Sequence, residues 1–130
     1  MKKLFLSILF IFHLHAAPVT NQDVLLIAEN IVNNKFPIDS QYDISNIELI
    51  TELGTDLIYI VNVDPIGFVL IAADDRLYPL LGYSYESNYE NENFPAQFEA
   101  MLNSYKEQIM IAVVNNIERD TSINEIWNNY

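Results

Sequence analysis

Residues 57–73 read LIYIVNVDPIGFVLIAA. Two runs in this stretch, 57–63 and 68–73, are dense in Ile, Val, Leu and aromatic side chains, the residues that pack well on a pleated surface. Between them stands Asp64-Pro65-Ile66-Gly67, with Asp, Pro and Gly at the first, second and fourth positions, as a type I turn prefers. Two strands joined by so short a connection make an antiparallel hairpin. A strand with one wet face alternates apolar and polar residues, and these two do not. The sheet is therefore expected to be covered on both sides, or the hairpin to be central.

The neighbouring segments extend this picture. Upstream, residues 44–53 read as a strand in which Ile47, Leu49 and Thr51 alternate with polar partners, followed by a turn at Gly54-Thr55-Asp56. Downstream, Asp74-Asp75-Arg76 is a polar loop, and Leu80 to Tyr85 forms a fourth short strand whose Gly82 suggests a bulge or a close backbone approach. Residues 86–93, ESNYENEN, make an acidic, asparagine-rich loop.

A helix is expected on either side of the strands. Over 21–35, Asn21-Gln22-Asp23 is a good start, Val24, Ile27, Ala28 and Ile31 recur at helical spacing, and Pro37 follows the end. The second and longer helix opens at Pro95 and runs to 117, with Phe98, Met101, Leu102, Tyr105, Ile109, Ala112 and Val113 in one stripe. Residues 118–130 are polar until Ile123, Ile126 and Trp127. The order helix, four strands, helix predicts an α+β domain, an antiparallel sheet of about four strands flanked by an N-terminal and a long C-terminal helix.

Composition narrows the function. The chain has 130 residues, 18 acidic against 6 basic, a formal net charge of -12 and no cysteine. Its first twenty residues, MKKLFLSILFIFHLHAAPVT, place two lysines before an apolar run and small residues after it, the layout of a secretory signal peptide. The run is shorter than the roughly 20 apolar residues that a spanning helix needs. Cleavage after Ala16 is expected, giving a signal peptide at 1–16 and one domain at 17–130. The expected location is the periplasm or the extracellular space.

Both histidines, His13 and His15, and two of the six basic residues depart with residues 1–16, leaving a net charge of −14. A chain without His or Cys cannot build a Ser-His or Cys-His catalytic unit, nor an imidazole or thiolate metal site. Its acidity disfavours nucleic acid and anionic membranes as partners. No cofactor is implied. Glu86, Glu90 and Glu92 could offer oxygen ligands to calcium, but their spacing matches no known calcium loop.

Several motifs carry a resemblance. IGFVLIAADDRLYPLLGYSY at 66–85 is followed by NFP at 93–95 and SYKEQI at 104–109. This resembles the prodomain of streptopain-type bacterial cysteine peptidases, which shows a GFV strand running into an acidic-Arg loop, an LGYS strand, an Asn-x-Pro-like loop and a helix with a Y-x-x-x-I pattern. The matching residues are Gly67, Phe68, Val69, Ala73, Asp74, Arg76, Leu81, Gly82, Tyr83, Ser84, Asn93, Pro95, Tyr105 and Ile109. The resemblance covers most of 21–115. In the peptidases a catalytic domain with a Cys nucleophile and a His follows the prodomain; here the chain stops at Tyr130. It looks like a freestanding prodomain, and such proteins are similar to inhibitors of the cognate peptidase rather than to enzymes.

The resemblance further implies that the loop before the last helix reaches the active-site cleft, where an asparagine displaces the catalytic histidine. Asn93 is the best positional match, with Asn91 and Asn88 also candidates, and Phe94 and Tyr89 beside them. An Asn side chain offers a donor and an acceptor without bringing charge. Asn93 could instead cap the helix, or do both. Tyr83, Tyr85, Asp74 and Arg76 are further candidate contacts. Of the three tyrosines at 83, 85 and 89, one of the first two is expected in the core, with only one of the three free. For Asp74-Asp75-Arg76 a solvated turn with a local ion pair is the plainer reading. The acidic surface could steer association with a basic peptidase.

Other functions remain open at this point. The domain could assist folding of a separately encoded peptidase as a chaperone or immunity partner, which refolding with and without it would distinguish. It could be a secreted binding module unrelated to proteolysis, which would form no complex with such a peptidase. An enzyme using paired carboxylates would need a cleft that this layout does not suggest.

Overall fold

The computed structural model describes residues 18–90 and 94–130. The expected signal peptide, and Asn91 and Asn93 of the loop, lie outside the described residues. The elements are α1 (Asn21–Lys35), β1 (Asp43–Glu52), β2 (Thr55–Asp64), β3 (Phe68–Ala72), β4 (Leu80–Ser84), α2 (Ala96–Val114) and α3 (Thr121–Asn128). The four strands form one antiparallel sheet in the order β1-β2-β3-β4. This is the expected α+β arrangement, with one more helix than the sequence pattern suggested.

The central hairpin is apolar on both faces because each face has its own helix. On one side Val61, Val63, Val69 and Ile71 pack with Val24, Ile27, Ala28 and Ile31 of α1 and with Phe36. On the other, Ile58, Ile60, Phe68, Leu70 and Ala72 pack with Leu102 and Ile109 of α2. Full burial of each such aliphatic side chain contributes about 2 kcal/mol, so the three-layer stack is what holds a cysteine-free chain together.

α1 starts with a capping box: Asp23 N–H donates to Thr20 Oγ1 at 3.2 Å and Thr20 N–H donates to Asp23 Oδ2 at 2.9 Å. It stops at Phe36, which is extended (ψ 155°), as the residue before a proline tends to be. Just upstream, Val19 is buried, its carbonyl accepts from the Tyr59 hydroxyl at 3.2 Å, and Pro18 bridges to Asp74.

Several expectations need correction. The β1–β2 turn is Leu53-Gly54, not Gly54-Thr55-Asp56; Glu52 pairs with Thr55, and both turn residues have positive φ (51° and 77°), as a two-residue type I′ hairpin requires. Holding a leucine in that region costs roughly 1–2 kcal/mol. In β1, Ile47 and Leu49 face Val61 and Tyr59, but a bulge between Ile50 and Thr51 takes Thr51 out of the alternation.

The 64–67 connection lacks the closing hydrogen bond of a type I turn: Gly67, with φ 139°, donates its N–H to Asn88 Oδ1 at 3.0 Å rather than back to Asp64. α2 ends at Val114, not 117. Asn116 turns left-handed (φ 46°), Ile117 N–H donates to Ala112 O at 3.0 Å and Asn116 N–H to Val113 O at 3.1 Å, a Schellman closure.

The segment after 118 contains α3. Asp120 caps it by accepting from Ser122 N–H at 2.7 Å; Ile123 is buried, and Trp127 Nε1–H donates to Leu77 O at 2.8 Å. No helix among the described residues is long and apolar enough to cross a membrane.

Candidate functional site

The segment between β4 and α2 is anchored on both flanks. At its start Ser84 Oγ accepts from the N–H groups of Glu86 and Ser87, both at 3.2 Å, a local turn of the kind that serine hydroxyls support. Next, Asn88 reaches across to Gly67, tying the segment to the β2–β3 connection. A Cβ on Gly67 would stand 2.7 Å from Phe36 Cε2 and 2.8 Å from Ser84 O, so only glycine allows this close approach.

Aromatic packing holds Tyr89 and Phe94. Tyr89 meets Phe68 edge-on at 5.7 Å and Phe94 at 5.0 Å; Phe94 meets Phe98 at 4.8 Å. Tyr89 and Phe94, five positions apart in sequence, therefore touch each other. Ring pairs at these separations contribute about 1 kcal/mol each beyond area burial. Burial, and then the charge of Glu48, raise the Tyr89 hydroxyl pKa above its ordinary value. Beside this cluster an open cleft of about 470 Å³ is lined by Ile66, Phe68, Asn88, Phe94 and Phe98 among others.

The other candidate residues stand elsewhere. Tyr83 and Tyr85 are 40% and 37% exposed and pack around Phe36 on the α1 side of the sheet, with ring centroids 6.2 and 5.9 Å away. Neither is a core residue, against expectation; the better buried of the three tyrosines is Tyr89. Phe36 occupies the interior position that alternation alone assigned to a tyrosine.

Asp74 and Arg76 sit at the opposite end of β3 from the 85–95 segment. Asp74 Oδ1 accepts from Arg76 N–H at 3.0 Å and faces its Nε at 3.6 Å, and Arg76 Nη1–H donates to Ala112 O at 2.6 Å. The local ion pair is present, but the turn is not solvated: Arg76 ties the end of α2 to the β3–β4 connection. Beside it Asp75, 4% exposed, receives Arg119 Nη1–H at 2.5 Å. Arg119 was not among the residues singled out by sequence; the one available signal was that it is one of only six basic residues.

The N-cap position of α2 is Pro95, with no side-chain cap hydrogen bond; Asn93, considered for that role, lies outside the described residues. Among the described residues no group of three or more acidic, His or Cys side chains is placed to hold a metal; Glu92 lies outside them. The arrangement offers two anchored flanks, Asn88-Tyr89 and Phe94, beside an open, largely apolar cleft.

Residues 16–109 match the family model described as Spi protease inhibitor. No curated protein and no solved structure matches the chain.

Proposed function

The chain belongs to the Spi protease inhibitor family, a non-enzymatic class whose partner is a protease, and from that premise we propose that it is exported and blocks a streptopain-type cysteine peptidase by lying across the active-site cleft. The 86–95 segment enters the cleft, with Asn93 as the residue that meets the catalytic histidine and Asn91 next to it. The observation that carries this reading is the double anchoring of the segment. Asn88 holds one flank to Gly67, and the Tyr89–Phe94 contact brings the two flanks together. Flanks held in place before binding lower the entropy lost on binding. Tyr89 and Phe94 thus act as positioning residues for the asparagines between them.

Export by cleavage after Ala16 is supported by the anchoring of the residues that follow. Val19 is a core residue and an acceptor for Tyr59. A cut after Ala16 leaves it in place, whereas a cut beyond it would strip a buried side chain and unpair a hydroxyl.

The test is a titration of residues 17–130 against mature streptopain, following hydrolysis of a fluorogenic peptide. Stoichiometric loss of activity, weakened by Asn93→Ala, is the expected result. Loss that ignores Asn93→Ala keeps the function and moves the contact to another residue. No loss, and no complex on gel filtration, refutes the choice of target.

A further inference from the structure

The tip of the β1–β2 hairpin carries a residue that the fold itself does not favour. Leu53 holds a left-handed position, φ 51°, where Asn, Asp or Gly is the favourable choice, and its side chain is 96% exposed. Neither the turn nor the core gains from a leucine there. Beneath it an open groove of about 290 Å³ runs between the hairpin tip and α2, lined by Leu53, Met110 and Ile111 with Glu52, Lys106 and Glu107 around them. Apolar residues continue through Val114, 71% exposed, at the end of α2 to Ile117 beyond it. Lys106 Nζ is already paired with Glu52 Oε1 at 2.6 Å, so the charge left over at the groove is the negative charge of Glu107.

That charge selects the occupant. Residues 17–130, with a formal net charge of −14 once Lys2 and Lys3 are removed, repel their own copy, and an apolar strip edged by the unpaired charge of Glu107 complements a basic surface that presents an apolar side chain. On the proposed reading of the chain as an inhibitor of a streptopain-type peptidase, we infer that Leu53 and this groove form a second docking surface for the same peptidase. The occupant is an apolar side chain flanked by Lys or Arg, away from the active-site cleft.

The geometry allows one continuous footprint. The 86–95 segment meets α2 at its start and the groove meets it near Met110, about 22 Å further along at 1.5 Å per residue. Both lie on the α2 side of the sheet. A standard interface covers about 800 Å² on each partner, a patch about 30 Å across, which is wide enough to include both.

The test measures association and dissociation of residues 17–130 on immobilised mature streptopain at low and high salt. Two variants are compared with the wild type. Leu53→Asn suits the left-handed turn, so its melting temperature holds or rises and lost binding cannot be lost folding. It is expected to raise the dissociation constant about tenfold or more. Glu107→Lys is expected to slow association at low salt, with the difference vanishing at high salt. Wild-type affinity in Leu53→Asn, alongside weakened inhibition by Asn93→Ala, overturns the second surface and leaves the inhibitor reading standing. A wild-type chain that neither binds nor inhibits streptopain overturns both. A concentration-dependent dimer that Leu53→Asn abolishes gives the groove to a second copy and overturns the assignment to the peptidase.

Discussion

Gly54 and Gly67 both have positive φ, 77° and 139°, yet the same substitution should act very differently at the two sites. A Cβ on Gly54 meets nothing within 4 Å, so Gly54→Ala bears only the cost of the left-handed backbone, about 1 kcal/mol. At Gly67 the backbone lies in a region that only glycine populates freely, a cost of roughly 1–3 kcal/mol. The new methyl group would also stand 2.7 Å from Phe36 Cε2 and 2.8 Å from Ser84 O. Neither neighbour yields easily. Phe36 is packed against Tyr42, Tyr83 and Tyr85, and the Ser84 carbonyl is backbone of β4, paired with β3. Overpacking adds roughly 1–3 kcal/mol, for a total of about 4 kcal/mol. Against a domain stability of about 5–15 kcal/mol, that brings Gly67→Ala close to unfolding. Urea unfolding measures it: with a slope of about 1.5 kcal/mol/M, the midpoint falls by about 2–3 M for Gly67→Ala and by less than about 1 M for Gly54→Ala. Losses within about 1 kcal/mol of each other would refute the claim that Gly67 is fixed by contact with Phe36 and β4.

Two further predictions use Trp127, the only tryptophan, as a fluorescent reporter of α3. Arg119→Met removes the guanidinium from Asp75, which is 4% exposed, and should destabilise the fold by about 3 kcal/mol with a shift of Trp127 emission; a loss below about 1 kcal/mol would show that the pair does not hold the tail. The Asp120 carboxyl is held below its ordinary value of 3.8 by the Ser122 side-chain and backbone hydrogen bonds. A depressed pKa favours the folded state above the ordinary value and loses that effect as pH falls through the folded-state pKa. The difference in α3 docking between wild type and Asp120→Ala should therefore be full above pH 3.8 and close as the pH drops below it; a difference independent of pH contradicts the cap.

What could be read from the sequence was what depends on local pattern. The double-sided apolar runs at 57–63 and 68–73 announced a hairpin covered on both faces or central, and the spacing from Val24 to Ile31 announced α1, whose bounds agree at 21–35. The misses share a different origin. Gly67 N–H is claimed by Asn88, 21 residues away, and no turn preference at 64–67 carries that information. Alternation placed Tyr83 and Tyr85 on one side of the sheet but could not tell that Phe36, from beyond α1, fills the interior there. In α3 only Ile123, Ile126 and Trp127 are apolar, too short a run to stand out, although Asp120 followed by that i, i+3, i+4 spacing is a start signal and a stripe. At the candidate site the sequence pointed to the 86–95 segment; the aromatic contacts that hold Tyr89 and Phe94 depend on Phe68 and Phe98, which reach them from β3 and α2.

The connection from Ala73 to Pro79 gathers both described ends of the chain. Pro18 bridges to Asp74, Arg76 holds the end of α2, Asp75 holds Arg119, and Leu77 O receives Trp127; beyond it Tyr130 packs against the α1-side core. Chain termini and loose tails are where nicking usually begins, because a peptidase cuts segments that can be drawn out as an extended strand. A protein that spends its working life against such an enzyme gains from having its N-terminal run and its last helix fastened to one loop. Drawing out either described end then requires breaking contacts that span tens of residues, and the inhibitor remains a ligand instead of becoming a meal.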